Sequence, residues 1–333
     1  SGTILSVTEK ISLFRSLFRG RKDVYPKRWV SSRTGRSGYS PVCGNEWDPA
    51  VCGKTFHRTQ GSTVSPCRSC SHRELLPVTD QVIHDHLSGK TTIGIYPLLS
   101  NETCYFLAAD FDKKGWRDDI SAFRETCRSF DIPVYIEISR SGNGAHAWIF
   151  FTEPVPAAGA RRMGCFLLTE TMNSRPELGF DSYDRLFPNQ NTVPKGGFGN
   201  LIALPLQHEP RKSGNSVFVN EQLVPYKDQW DVLMNIERMT PSMLEAIIEN
   251  ATNRDRVLAV GTFGTEEDAA APWLSLPSGN KKMPKISGPL PEKVTVFDAQ
   301  MLFICRKDIP PSQLNKIRCL AAFQNPELYK KQN

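Results

Sequence analysis

Two aspartates, Asp110 and Asp112, close the apolar run YFLAADFD. If that run is a strand, its period of two turns both carboxylates to one face, where they make a two-ligand platform for a divalent cation. Hard oxygen donors suit Mg²⁺ or Mn²⁺ and, through them, chemistry at phosphoryl groups. A solvated strand end has the same spelling, so the neighbouring residues decide what the pair means.

The next candidate is a Gly-rich strand entry, SRSGNGAH, from Ser139 to His146. Gly142 and Gly144 let the backbone approach a phosphate closely, the Ser141 hydroxyl can donate, and His146 opens the following strand as a donor. The plainer reading is an ordinary hairpin loop with a structural histidine. A third carboxylate is required if two metal ions clamp the attacking and leaving oxygens of an in-line displacement. FDSYDRLFPNQN offers Asp181 and Asp184, of which Asp184 is preferred, against the alternative of a loop carboxylate paired with Arg185. Arg185 follows it directly, and Lys195, Gly196, Gly197 and Asn200 form a polar strip before NLIALPL. Arg185, Lys195 and Asn200 therefore join Ser141, Gly142 and His146 as nucleotide-binding candidates, able to stabilise charge that develops on phosphate oxygens.

A second constellation is made of thiols. Cys43 and Cys52 enclose eight residues, and Cys67-Arg-Ser-Cys70 is a C-x-x-C knuckle. Four thiolates in pairs suit a closed tetrahedral Zn²⁺ site, with His57 and His72 as substitutes; Cys104, Cys127 and Cys165 read as small core residues. Residues 26–75 are rich in Gly, Ser, Pro, Arg and Cys, and such a loop-dominated segment has too few apolar side chains to fold without a metal.

The elements that must position these groups follow along the chain. From Tyr105 the pattern runs strand, helix (WRDDISAFRETCRSFD), strand (VYIEIS), Gly-rich turn and strand (AHAWIFF), a βαββ unit. A helix over about 157–174 follows, then an irregular segment over 186–199 and strands at NLIALPL and SVFVN. The predicted fold class is α+β, a mixed sheet flanked by helices. Near the start, Ile11, Phe14, Leu17 and Phe18 lie at helical spacing. Residues 228–253 read as two helices, the second with Thr240 as N-cap and Pro241 in the first turn. The expected organisation is an N-terminal helix and basic cysteine module over 3–90 and a catalytic core over 91–227. Terminal helices over 228–260, a linker over 261–295 and a further helical start over 296–333 complete it.

Composition bounds the function. With 333 residues, 39% hydrophobic and 23% charged, the chain is expected to hold two or three packed units. Its apolar stretches fall short of the roughly 20 residues of a membrane helix, so no membrane partner is expected. Nine cysteines without a leader argue for reduced thiols and a cytoplasmic location. The net charge of +6 is uneven: residues 1–90 carry 14 Lys/Arg against 7 Asp/Glu, and the remainder 27 against 28. A basic excess beside a cysteine cluster points to nucleic acid.

At ADFD, SGNGAH and YDR the chain resembles the archaeo-eukaryotic primase superfamily, with its D-x-D strand, Ser/His strand entry and later acidic residue. More closely it resembles the primase component of TOTE conflict systems, in which a primase is fused to a helicase. The strings GYSPVCGNEW, IGIYPLL, AADFD, SRSGNGAHAWIFF, YDRLFPNQ and KGGFGNLIALPLQ, over residues 25–235, carry the likeness. The final AAFQNPELYKKQ resembles the opening of the fused helicase, which implies a truncated piece of a longer chain.

The resemblance implies a primase core with an RRM-like half and a zinc-binding N-terminal module. It implies that Ser141 and His146 contact the triphosphate. It also implies that the module, through Arg33, Arg36, Lys54, Arg58, Arg68 and Arg73, holds template DNA or the initiating nucleotide. In one place the chain departs from the family pattern: after PNQ that pattern has Asp, and this chain has Asn191. The expectation is a DNA-dependent primase-polymerase that uses Mg²⁺ or Mn²⁺ to join nucleoside triphosphates to a 3′-hydroxyl on a primed template, with de novo primer synthesis as an extension of that chemistry. The rivals are a non-catalytic nucleic-acid-binding fragment of a helicase fusion and a metal-dependent nuclease.

Overall fold

The chain orders its elements as α1 (Val7–Leu17), β1 (Pro26–Val30), β2 (Ser37–Pro41), α2 (Asp80–Ser88), β3 (Gly94–Ile95), β4 (Thr103–Asp112), α3 (Trp116–Ser129), β5 (Tyr135–Ile138) and β6 (Gly144–Pro156). It continues with α4 (Ala157–Ser174), β7 (Tyr183–Phe187), β8 (Ile202–Ala203), α5 (His208–Lys212), β9 (Phe218–Val219), α6 (Gln229–Met234) and α7 (Pro241–Asn253). This computed structural model describes residues 5–54, 67, 70–175 and 182–253. The expectations placed on His57, Arg58, Arg68, Asp181 and residues 254–333 lie outside the described residues.

The central sheet has five strands in the order β7-β4-β6-β5-β9. The βαββ unit forms as its periodicity predicts, but the sheet is not mixed: each of its pairings is antiparallel. The helical crossover α3 leaves a gap between β4 and β5, and β6 fills it, antiparallel to both. The two strands joined by the crossover therefore run parallel without touching, the split βαβ arrangement.

Both faces of the sheet are covered. Leu107, Ala109 and Phe111 of β4, with Ala147, Ile149 and Phe151 of β6, pack under α3, α4 and α7. In α3 the apolar residues Trp116, Ile120, Phe123 and Cys127 fall on one buried stripe while its arginines face outward. Gly164 lets α4 approach closely: a Cβ there would stand 2.8 Å from Leu107 and 2.9 Å from Leu186. On the opposite face, Phe106 and Ala108 of β4 and Trp148 and Phe150 of β6 meet α1. Phe18 stands edge-on to Trp148 at 5.1 Å and to Phe150 at 5.6 Å. Truncating a ring as deeply buried as Trp148 costs about 3–5 kcal/mol.

The segment expected to be loop-dominated contains the β1–β2 hairpin, and β1 is tied back to the body by Lys27 opposite Ile93 and by the Arg28 N–H donating to the Thr92 carbonyl at 2.8 Å. The helix α2 follows, capped by the Thr79 hydroxyl and closed by Gly89 at φ +88°. No described helix is long and apolar enough to cross a membrane.

Candidate active site

One cross-strand row organises the site. Register pairs Arg185 of β7 with Asp110 of β4, Asp110 with His146 of β6, and His146 with Glu137 of β5. Directly opposite residues share a face, so the row reads cation, anion, cation, anion across four strands. The row below it is apolar, with Phe187, Ala108, Trp148 and Tyr135 in register. The row above holds Asp112 opposite Gly144, where a Cβ would stand 2.5 Å from the Phe111 carbonyl oxygen. The site is thus the solvent-side continuation of an aromatic core, with low-dielectric walls on one side.

His146 is held between two carboxylates. Its Nδ1 donates to Glu137 Oε2 at 2.6 Å, and its Nε2 stands 3.6 Å from Asp110 Oδ1. Trp148 Nε1 donates to the same Glu137 oxygen at 3.4 Å, and Glu137 is only 2% exposed. Burial works against protonating His146, but Glu137 and Asp110 outweigh it and raise the imidazole to about 9. At neutral pH the ring is therefore an imidazolium. Burial lifts the Asp110 carboxyl to about 6; His146 opposes the rise, and Asp184 and Asp112 add to it.

Asp184 enters from β7, where a register shift between Asp110 and Phe111 locally displaces the pairing. The start of β7 is pinned by Ser182, whose hydroxyl donates to the buried Asp119 of α3 at 2.5 Å and whose carbonyl accepts from Asp112 N–H at 2.7 Å. Arg185 Nε donates to Asp184 Oδ2 at 2.7 Å. The Lys113 ammonium stands 3.4 Å from Asp112 Oδ1 and 3.9 Å from Asp184 Oδ1. Asp112 and Asp184 are thus drawn toward one positive charge.

As the side chains stand, no group of three or more described His, Cys, Asp or Glu residues is arranged to hold a metal ion. The carboxylates nevertheless suit a hard divalent cation. Asp112 Oδ1 is buried without a hydrogen-bond donor, and the donor set of Asp110, Asp112 and Asp184 is all oxygen. The thiols fit zinc less well. Cys43 Sγ accepts the Glu74 N–H at 3.4 Å, and Cys52 is buried. Cys52 and Cys67 both act on the Lys54 ammonium, whose pKa is raised against the effect of burial by Glu46, Cys67 and Cys52. Among the described residues the four thiols do not stand together as a metal-holding group.

The remaining predicted residues divide. Ser141 sits exposed on the turn, its Oγ accepting from Asn143 N–H at 3.2 Å and lying 3.2 Å from Ser139 Oγ. Gly142 adopts φ +74° against Asn215, whose side chain fills the space a Cβ would need. Lys195 is exposed beyond β7. Asn200 does not reach outward: its oxygen accepts Asn189 N–H at 3.1 Å and its amide donates to the Leu186 carbonyl at 3.2 Å. Its oxygen and its amide thus each hold one backbone group, in β7 at Leu186 and just beyond it at Asn189. Asn191 is likewise engaged, accepting from Arg161 of α4. Sequence reasoning passed over Glu137 and Lys113; an acid inside the β-branched run VYIEIS is the signal that would have found the first.

A family model described as the TOTE conflict system, Archaeo-Eukaryotic Primase domain, matches residues 9–247. Among solved structures, the polymerase domain from Mycobacterium tuberculosis ligase D in complex with DNA is similar at 11% identity and a TM-score of 0.33, covering 79% of this chain and 92% of that one. No curated protein matches the chain.

Proposed function

The chain belongs to the archaeo-eukaryotic primase domain family of TOTE conflict systems, and from that premise we propose that it is a template-directed primase-polymerase whose reaction runs at the Asp110–His146 row. Membership supports primase- or polymerase-type nucleotidyl transfer with DNA and nucleotides as substrates, and the α+β sheet with flanking helices fits the core of such a primase.

The observation that carries the finer reading is the juxtaposition of Asp110 and Asp112 on one face of β4 with the His146 imidazolium on one side and Asp184 on the other. Asp110, Asp112 and Asp184 are the residues that would hold Mg²⁺ or Mn²⁺. When bound, such ions supply Lewis-acid activation of a 3′-hydroxyl and neutralise triphosphate charge.

The chain's own residues do the rest. His146 Nε2–H, aimed toward Asp110 by Glu137, donates to a triphosphate oxygen. The Ser141 hydroxyl donates from the turn, and Gly142 supplies the left-handed conformation that shapes it. Arg185 and Lys195 add positive charge where negative charge grows as the 3′-oxygen bonds to the α-phosphorus and pyrophosphate leaves. Lys113 holds Asp112 and Asp184 by weak ion pairs that a bound divalent cation would replace. Cys43, Cys52, Cys67 and Cys70 would take one Zn²⁺ only by drawing together from the positions they occupy here, a reading that rests on the pairing of the thiols in sequence. A fused or downstream helicase is the partner to which the C-terminal likeness points.

Template direction is tested with four homopolymer templates, each carrying a matched primer, and one labelled nucleotide at a time. The expected result is incorporation of the complementary nucleotide alone; incorporation indifferent to the template would leave a terminal transferase in its place.

A further inference from the structure

The β1–β2 hairpin carries a feature that the catalytic row does not use. Residues 26–41, PKRWVSSRTGRSGYSP, contain Lys27, Arg28, Arg33 and Arg36 and no acid. The hairpin is closed by an ordered turn, with the Ser31 N–H donating to the Arg36 carbonyl at 2.7 Å and Gly35 at φ +69°. Trp29 is 44% exposed and Val30 58% exposed, both large apolar side chains left in solvent.

The position of the Trp29 ring has a cause. Register pairs Trp29 with Gly38 of β2, and the indole lies across that glycine: a Cβ at Gly38 would stand 2.9 Å from Cζ2 and 3.2 Å from Cε2. The absent side chain makes the seat, so one side of the ring rests on the strand while the residue stays widely open to solvent. Lys27 shares this face, two residues away. On the other face Arg28, paired with Tyr39, acts electrostatically on Arg140, the residue before Ser141, so the hairpin stands beside the turn of the catalytic row.

A seated aromatic ring among cations, with no carboxylate in the segment, is the combination that single-stranded nucleic acid recognises: bases stack on the ring and phosphates pair with the cations. A protein partner of ordinary composition would leave these four cations without complement. We propose that the β1–β2 hairpin is a docking surface for the single-stranded template, with Trp29 as its base-stacking platform and Lys27, Arg33 and Arg36 as its phosphate contacts. This rests on the reading that the chain acts on DNA, and it assigns that role to the hairpin independently of the cysteines.

The test measures binding of the full 333-residue chain to a fluorescent single-stranded oligonucleotide by anisotropy, without nucleotide or divalent metal, over a salt series. Trp29→Ala weakens binding about 10- to 100-fold with an unchanged salt slope, because the ring carries no charge. Trp29→Phe stays near the parent. Gly38→Val, which keeps the tryptophan but fills its seat, behaves like Trp29→Ala. Arg33→Ser with Arg36→Ser instead flattens the salt slope by about 0.7 for each phosphate that an arginine no longer neutralises. Binding within twofold of the parent for Trp29→Ala and Gly38→Val overturns the proposal. So does a change in sedimentation with unaltered affinity, which would make the patch an interface between copies. Because no nucleotide is present, the binding losses are read whether or not the parent chain extends a primer; a parent that binds but never extends would sink the catalytic reading and leave this surface standing.

Discussion

His146 and Glu137 meet at 2.6 Å in register on adjacent strands, with the carboxylate buried beneath the imidazole. The bond occupies Nδ1 and leaves Nε2 turned toward Asp110, so one buried acid fixes both the orientation and the charge of a ring at the mouth of the site.

Glu137→Ala removes that anchor and leaves a buried imidazole N–H unpaired, at a cost to stability of about 1–3 kcal/mol. Nucleotide addition falls about a hundredfold through misplacement of the donor. Glu137→Gln, which keeps an acceptor beside Nδ1, recovers most of the stability. Chemical denaturation and single-nucleotide incorporation on the two variants check this, and equal stability of alanine and glutamine variants would contradict it.

Lys113 is the charge a metal must displace from Asp112 and Asp184. It is well exposed, so its hold is weak, and Lys113→Ala tightens Mn²⁺ binding only about two- to fivefold, less at high salt. Titration calorimetry with Mn²⁺ reads the change; weaker binding in the variant would place Lys113 on the side of the metal instead.

How much of this was legible in the residues varies with distance along the chain. The strand-helix-strand-strand run from Tyr105 and the helix at 157–174 could be read because the hydrophobic period changes locally, and the shared face of Asp110 and Asp112 follows from the period of two. The antiparallel order was hidden, because insertion of β6 between β4 and β5 is settled by long-range pairing. The strand YDRLF was hidden by its length and its Gly- and Pro-rich surroundings, and α2 by lying between thiols and loops despite its Thr79 and Gly89 caps. The backbone bonds of Asn200 to Leu186 and Asn189 were hidden as well, because polarity in sequence does not name the partner.

His86 gives the fold an acid limit. Its Nε2–H donates to the Pro205 carbonyl at 2.9 Å and its Nδ1 accepts Ile93 N–H at 3.2 Å, so the neutral ring is fully satisfied. Burial holds its pKa down at about 4, against an ordinary 6.5, and Arg211 adds to the fall against the bond to Pro205. The unfolded state therefore takes up a proton first as pH drops, and stability is lost between pH 6.5 and 4, by up to about 3 kcal/mol. Urea melts at pH 7 and pH 4.5 measure the loss, and His86→Gln shows a flatter acid limb than the parent.

The cysteine reading predicts about one zinc ion per chain by elemental analysis, lost in a Cys67→Ser, Cys70→Ser double variant. Zinc at background level in protein purified without chelator, or an unchanged content in the double variant, would remove the metal from the account.

The central claim is that Asp110 and Asp112 carry nucleotidyl transfer. Its most direct measurement is primer extension on a defined template with Mn²⁺, comparing the parent chain with Asp110→Asn and Asp112→Asn variants that retain its thermal stability and its affinity for single-stranded DNA. The account predicts stepwise extension by the parent and no product from either variant. Extension by the variants at the parental rate, or shortening of the primer in place of its growth, would contradict it.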